Sequence, residues 1–193
     1  MNFKAAYKTK IEDACSALKR GETILFPTDT IWGIGCDATN EDAVAKIYKV
    51  KQRDLSKALV ILVAKLDDIA IYADKIPEVA WDLVEFAEKP LTVVYEKGKN
   101  LASNLTAADG SVAIRVVKDP FCQQLIERYG KPLVATSANL SGKENPTSYN
   151  QIDPLVIASV DHIVDHRQEE EIKNKPSQII KLDENGSIKF IRK

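Results

Sequence analysis

The sequence predicts an α/β fold, in which a sheet of mixed strand direction carries helices packed on it. Two observations support this class. Short apolar runs that suit buried strands alternate along the chain with segments of helical periodicity. The longest apolar run, 58–64, is typical of a buried strand and is far short of the roughly 18 residues that a membrane-spanning helix needs. We therefore expect one domain over residues 1–193, with no membrane segment.

The first elements have clear start and stop signals. Lys8–Arg20 carries apolar residues at helical spacing and is followed by Gly21, which favours a left-handed end. The segment 23–26 is a predicted strand that Pro27 stops. Asn40 is suited to cap the next helix, since acidic residues follow it in the first turn.

The later elements are marked in the same way. Pro77 begins a predicted helix, and Asp119 with Pro120 begins another that Gly130 closes. Asn185-Gly186 predicts a tight hairpin turn between the last two strands. The remaining predicted strands are 59–63, 91–95, 111–117, 133–135, 160–164, 178–182 and 188–191.

The composition is typical of a protein of the reducing cytoplasm. Hydrophobic residues make up 45% of the 193 residues, which is enough for a substantial core. Lys and Arg number 27 against 28 Asp and Glu, so the net charge of −1 argues against a globally basic nucleic-acid binder. Cys15, Cys36 and Cys122 lack the spacing of a disulfide framework or a zinc site. Residues 1–4 begin no signal peptide.

Three cations lie between a predicted helix and the strand after it. Lys51, Arg53 and Lys57 occur where the helix ends and the chain turns toward the apolar run. If they converge, an anion between them relieves their repulsion, and Arg offers a planar fork for phosphate oxygens. By charge alone, an anion site and a solvated surface cluster are equally good interpretations.

Two polar segments follow predicted strands. Thr28-Asp29-Thr30 precedes Gly33 and Gly35, which indicates either an ordinary turn or a cradle for a small polar molecule. It is neither a Walker loop nor a GxGxxG fingerprint. Thr136-Ser137-Ala138-Asn139 follows a strand, where ligands of α/β sheets often bind, although a hydroxyl turn or an Asn cap explains it equally well. No nucleophile elbow is present in the sequence.

Three aromatic or imidazole side chains carry weaker expectations. Trp32 lies in the glycine segment and is expected to line a pocket. His162 and His166 lie in a β-rich segment, where rings four residues apart are about 13 Å from each other. We therefore expect exposed or capping histidines and not a metal pair.

Taken together, five segments in this order resemble the YrdC-like family of threonylcarbamoyl-AMP synthases. They are Thr28–Ala38, the Lys-x-Arg at 51–53, Leu91-Thr92, Ala113-Ile114-Arg115 and Ser137-Ala138-Asn139. The similarity runs from about residue 24 to residue 191, and it is to the short bacterial form. These enzymes begin the threonylcarbamoyladenosine modification at position 37 of transfer RNAs.

The resemblance implies a twisted open sheet around a basic, concave cavity. It also implies that L-threonine, bicarbonate and ATP, with Mg²⁺, give threonylcarbamoyl-AMP and pyrophosphate. The protein then supplies positioning and charge, with no covalent intermediate. Transfer RNA and the later proteins of the modification pathway are its candidate partners.

The same resemblance implies roles for individual residues. Lys51 and Arg53 are the implied catalytic residues, and no protein metal ligand is implied. Thr30, Arg115 and Ser177 are implied to bind threonine. The implied ATP-binding residues are Arg53, Lys57, Ser111, Ser137, Asn139, Lys143 and Arg192.

The sequence departs from the family pattern at several positions. Trp32 replaces the usual tyrosine, Ala58 a common proline and Gln178 a frequent threonine, and Lys89–Thr92 lacks the usual Trp-Pro-Gly-Pro lead-in. Two alternatives therefore stay open. One is a paralogue with the fold and another activity, and the other is an RNA-binding module, which the near-neutral charge disfavours.

Overall fold

The computed structural model of the protein describes residues 7–54, 59–171 and 175–193. Its helices are α1 (Lys8–Lys19), α2 (Glu41–Lys51), α3 (Ile69–Tyr72), α4 (Val79–Glu85), α5 (Pro120–Tyr129) and α6 (Pro154–Ser159). Its strands are β1 (Ile24–Phe26), β2 (Gly33–Asp37), β3 (Val60–Val63), β4 (Ala73–Asp74), β5 (Leu91–Tyr95), β6 (Lys97–Gly98), β7 (Val112–Val116), β8 (Leu133–Ser137), β9 (His162–Ile163), β10 (Gln178–Leu182) and β11 (Ile188–Arg192). The predicted α/β class is confirmed.

Nine strands of the described residues form one sheet of mixed direction. Their order is β11-β10-β5-β7-β3-β8-β2-β1-β9, and β4 pairs with β6 in a separate ribbon. The pairs β1–β9, β3–β7 and β5–β10 are parallel. The other neighbours in the large sheet are antiparallel. Sequence-distant strands are therefore brought side by side, with β3 and β8 at the centre.

The two faces of the sheet belong to different hydrophobic cores. In β3, Ile61 and Val63 point into the core that includes Val44 of α2. Leu62 points to the other side, into the core that includes Leu18 of α1 and buried residues of α5. This division follows from the two-residue side-chain period of a strand. Helices therefore cover both faces, and no helix formed by the described residues is long and apolar enough to cross a membrane.

The predicted helix ends are confirmed where they depend on local chemistry. The Asn40 side chain accepts a hydrogen bond from the backbone N–H of Ala43, and Asp119 caps α5 in the same way. Gly21 and Gly130 both adopt the left-handed conformation, with φ values of 72° and 81°. These caps hold α1, α2 and α5 in the positions that the sequence predicts.

The glycine segment corrects one expectation, because Gly33–Asp37 is a buried central strand (β2) and not a loop. At Gly35, an added Cβ would lie 2.3 Å from the Val134 carbonyl oxygen and 2.7 Å from the Phe26 ring. Glycine is therefore required there for strand packing and not for approach to a ligand.

One further element was not predicted, and one predicted turn is confirmed. Helix α6 was not expected, although Asp153 caps it and Pro154 is its first residue. The predicted hairpin joins the antiparallel strands β10 and β11 through residues 183–187. In it the Asp183 carboxylate accepts from the N–H groups of Asn185 and Ser187, and Gly186 has a φ of 83°.

Candidate functional site

A cavity of about 310 Å³ lies on the sheet face that α1 and α5 cover only in part. Leu62 and Leu133 are buried in the core beneath these helices. Val60 and Ala135 lie two residues away on the same strands, so their side chains point to the same face of the sheet. These two residues line the cavity. Ala113 lies between β3 and β5 in the same row, so the cavity floor is made of small side chains. The polar lining residues are Thr28, Thr30, Arg53, Arg115, Thr136, Ser137, Asn145, Ser177 and Arg192.

Arg115, on β7, is a buried cation in the wall of this cavity and is only 5% exposed. One terminal nitrogen donates to the Thr30 hydroxyl at 3.0 Å, and the other lies 3.3 Å from an Asp29 carboxylate oxygen. The Arg115 Nε–H group has no hydrogen-bond partner among the described residues. This nitrogen is itself shielded from solvent, so Arg115 faces the cavity as a charged guanidinium that Thr30 and Asp29 hold in place.

The threonine hydroxyls beside Arg115 form a short hydrogen-bonded chain. The Thr28 and Thr30 hydroxyl oxygens are 2.9 Å apart, and Thr28 donates to the carbonyl of Ile31 at 2.8 Å. The Thr30 hydroxyl therefore donates to the Thr28 oxygen, and the Thr30 oxygen accepts from Arg115. The turn that precedes β2 therefore orients Arg115, which supports the cradle interpretation of the Thr28-Asp29-Thr30 segment.

Ser177 and Arg192 form the opposite part of the wall. The Ser177 hydroxyl is 2.7 Å from that of Thr92, and its carbonyl accepts two hydrogen bonds from the Arg192 guanidinium at 2.7 and 2.9 Å. Burial, followed by the charge of Arg115, lowers the pKa of Arg192 from its usual value. Two guanidinium groups thus share one cavity, which favours a bound anion between them.

A β-bulge in β11 directs the Arg192 side chain toward this wall. Ile179 pairs with Arg192 and Ile180 pairs with Phe190, so β11 has one extra residue, Ile191, at this point. Both Ile191 and Arg192 line the cavity. The extra residue interrupts strict alternation, as bulges do, and turns two consecutive side chains to the same side.

Lys51 lies behind the cavity wall and not in it. It is the last residue of α2 and is 2% exposed. Its ammonium group donates to the carbonyl oxygens of Ser137 and Asn139 and to the Asn139 side-chain oxygen at 2.7 Å. Burial, followed by the charge of Arg53, lowers its pKa to about 7. This corrects the expected convergence of Lys51 and Arg53 on one anion, because protein oxygens already use the ammonium group.

The loop after β8 is organised by this lysine. Asn139 is 9% exposed, and its side-chain oxygen also accepts from the Ser137 hydroxyl at 2.5 Å. Its amide nitrogen donates to the backbone carbonyl of Lys143. Ser137 lines the cavity, whereas Asn139 and the exposed Lys143 do not. Only Ser137 of these three expected nucleotide contacts is therefore brought to the cavity.

The remaining expected site residues differ in where they lie. Arg53 lines the cavity. Ser111 is 5% exposed at the start of β7 and lies outside the lining, where its N–H donates to Asp109. Lys57 falls within 55–58, outside the described residues.

Sequence reasoning missed two contributors to this site. Asn145 lines the cavity from the exposed loop after β8, and no sequence signal marks it. Thr92 is fully buried and holds the Ser177 hydroxyl. The Thr92 hydroxyl in the largely apolar strand 91–95 was a usable signal, since a buried polar group requires a partner.

The expectations for the ring side chains also need correction. Trp32 is fully buried and packs on Tyr149, with ring centres 5.3 Å apart, so it does not line the cavity. His162 and His166 are half-buried and not exposed. His166 packs against Phe121, and burial lowers its pKa. The described residues contain no group of three His, Cys, Asp or Glu side chains that can hold a metal ion.

Known proteins resemble this chain in sequence. The protein-family model Sua5_yciO_yrdC, described as "Telomere recombination", matches residues 16–193. A threonylcarbamoyl-AMP synthase of Pseudoalteromonas translucida is 33% identical over 161 residues, which is 82% of this chain and 86% of that protein.

Solved structures resemble it in fold. Sua5 of Pyrococcus abyssi, complexed with L-threonine, is 31% identical with a TM-score of 0.82. The match covers 89% of this chain but 50% of that one, so this chain spans half the length of that Sua5 chain. Escherichia coli YciO has a TM-score of 0.83 over 95% of this chain and 88% of its own, and at 24% identity it shows a common fold.

Proposed function

Because the chain belongs to the Sua5/YciO/YrdC family, we propose that it is a threonylcarbamoyl-AMP synthase. Its substrates are L-threonine, bicarbonate and ATP, and its product serves the modification of adenosine 37 in transfer RNA. The observation that carries the proposal is that Arg53, Arg115 and Arg192 line one cavity. The carboxylate and phosphate groups of the substrates supply the negative charge that these guanidinium groups favour.

The threonine subsite is proposed to lie between Arg115 and Ser177. Arg115 donates to the carboxylate of threonine, while Thr30 and Ser177 offer hydroxyl groups to its polar atoms. Hydrogen bonds to the protein hold all three side chains in place, so little order has to be gained when the substrate binds.

The reaction proposed for this cavity has two bond-forming steps. The threonine amine attacks the bicarbonate carbon, and loss of water leaves a carbamate. A carbamate oxygen then bonds to the α-phosphorus of ATP while the bond from that phosphorus to pyrophosphate breaks. Arg53 and Arg192 provide fixed positive charge for the phosphate oxygens, and the protein acts by positioning and charge stabilisation.

The nucleotide contacts are supported unevenly. Arg53, Ser137 and Arg192 line the cavity and are proposed to contact ATP. Asn139 is proposed to act by holding Ser137, while Ser111 and Lys143 have no support from the cavity geometry. Mg²⁺ is proposed to arrive on the ATP phosphates and to neutralise their charge, since the described residues offer no carboxylate cage of their own.

The test measures pyrophosphate release and identifies the product by mass spectrometry. We expect release only when L-threonine, bicarbonate, ATP and Mg²⁺ are all present, with a product of the mass of threonylcarbamoyl-AMP. Serine is expected to react about tenfold less efficiently, because it lacks the methyl group that a fitted pocket rewards. Release of pyrophosphate or phosphate without threonine would contradict the proposal.

A further inference from the structure

The outer strand β11 carries an exposed apolar surface that the proposed chemistry does not use. Ile188 is 44% exposed and Phe190 58%. Phe86, at the end of α4, is 74% exposed. These three residues line a groove of about 530 Å³ between α4 and β11. A cluster of large apolar side chains this exposed is typical of a protein-binding surface.

The backbone beside this groove is also available for binding. β11 ends the strand order of the large sheet, and no strand of the described residues pairs with its outer edge. An edge strand presents a row of N–H and C=O groups that an added strand can satisfy. The groove and the edge therefore favour an extended occupant that contributes both backbone and apolar side chains.

The charge of β11 indicates what kind of segment fits. Residues 188–193 contain Lys189, Arg192 and Lys193 and no acidic side chain. Within the described parts of the chain, no carboxylate forms an ion pair with Lys189 or Lys193. The Lys193 ammonium lies 5.6 Å from the centre of the Phe190 ring, so positive charge borders the β11 side of the groove, whereas Asp82 and Glu88 line it on the α4 side.

These cations disfavour a second copy of the same chain as the occupant. Pairing β11 with another β11 brings Lys189 and Lys193 of both copies to one edge, and lysines on edge strands are a common device against such pairing. Carboxylates on an added strand convert the same positions into attractive pairs.

We propose that β11 and the groove beside Phe86 and Phe190 dock an extended segment of a partner protein in which apolar and acidic residues alternate. The segment adds as a further strand at the edge of the sheet. Its apolar side chains fill the groove, and its carboxylates lie near Lys189 and Lys193. The proposal stands on this surface alone and does not depend on the reaction proposed for the cavity.

The test uses two capped, fluorescently labelled six-residue peptides. One alternates valine and glutamate, and the other alternates valine and lysine. Fluorescence anisotropy against the full chain is expected to show binding of the glutamate peptide and at least about tenfold weaker binding of the lysine peptide. Amide chemical shifts are expected to change in β11 and α4.

Three variants separate charge from apolar contact. Reversing both charges, with Lys189→Glu and Lys193→Glu, is expected to exchange the preference between the two peptides. Phe190→Ser is expected to weaken both. Lys8→Glu, at the exposed start of α1 where an acid is tolerated, is the matched control and is expected to change neither.

Either of two results overturns the proposal. One is equal affinity for the two peptides, or affinity that the charge reversal leaves unchanged. The other is a dimer in light scattering that Phe190→Ser dissociates, because a second copy would then be the occupant.

Discussion

Lys51 and Arg53 are two residues apart, yet their side chains lie in different environments. Lys51 ends α2 and is enclosed by carbonyl oxygens of the loop after β8. Arg53 lines the cavity, as do Arg115 and Arg192. Between them, Gln52 caps the helix in the left-handed conformation, with a φ of 48°, and so changes the direction of the chain. Protein oxygens therefore surround the ammonium group of Lys51, whereas Arg53 lies where a ligand in the cavity can reach it.

The largest expected effect concerns Arg53. Arg53→Ala removes positive charge from the cavity and is expected to lower the rate of pyrophosphate release about 10²–10³-fold. The free energy of unfolding is expected to change by less than about 1 kcal/mol, because the side chain is not part of the core. Enzyme kinetics and urea denaturation measure the two quantities. Lys49→Ala, on the exposed face of α2, is the control, and a stability loss without a rate loss would remove Arg53 from the proposed chemistry.

Lys51 is expected to show the opposite balance. Lys51→Met leaves the carbonyl oxygens of Ser137 and Asn139 without their buried donor and is expected to lower the free energy of unfolding by about 3 kcal/mol. Urea denaturation measures this change, with Lys49→Met as the exposed control. Full stability combined with lost activity would instead support the substrate contact that the sequence predicted for Lys51.

A smaller effect, on threonine affinity, is expected when the guanidinium group of Arg115 is replaced by the ammonium group of lysine. Arg115→Lys keeps the charge beside Asp29 but loses the planar guanidinium, and it is expected to weaken threonine binding about tenfold. Titration calorimetry measures the affinity, and Arg128→Lys on the exposed end of α5 is the matched control. Unchanged affinity would show that threonine binding does not depend on the guanidinium group of Arg115.

The smallest effect is a pH dependence of stability that belongs to Lys51. Its pKa is about 7 in the folded protein and 10.5 at its usual value. Between these values the unfolded chain binds more protons, so Lys51 makes stability rise with pH by about 1 kcal/mol per unit. The stability difference between wild type and Lys51→Met is therefore expected to widen between about pH 8 and pH 9 in urea titrations. A constant difference would show that Lys51 remains charged when buried.

The sequence predicts well those features that depend on near neighbours. Four helix boundaries depend on contacts within a few residues, and all four were predicted. Asn40 and Asp119 begin their helices, and Gly21 and Gly130 close theirs. β2 was missed because glycine weakens a strand signal, while the reason for Gly35 is a contact with the sequence-distant Val134.

The candidate site was predicted in part, and mainly through the family resemblance. That resemblance implied Thr30, Arg53, Arg115, Ser177 and Arg192 as site residues, and the structure brings these residues to one cavity. Their arrangement was not predictable. The oxygens around Lys51 lie 86 and 88 positions further along the chain, and the position of Arg192 depends on a bulge in the pairing of β10 with β11.

The small side chains of the cavity floor have a consequence for how this protein can change. The space above Ala113 and Ala135 exists because these strand positions carry a methyl group where Leu62 and Leu133 carry larger chains. Larger residues at the two alanines would shorten the cavity from below and leave every polar group of its walls in place. Single substitutions at these two strand positions can therefore change the size of the substrate that the cavity accepts, without changing its charged groups.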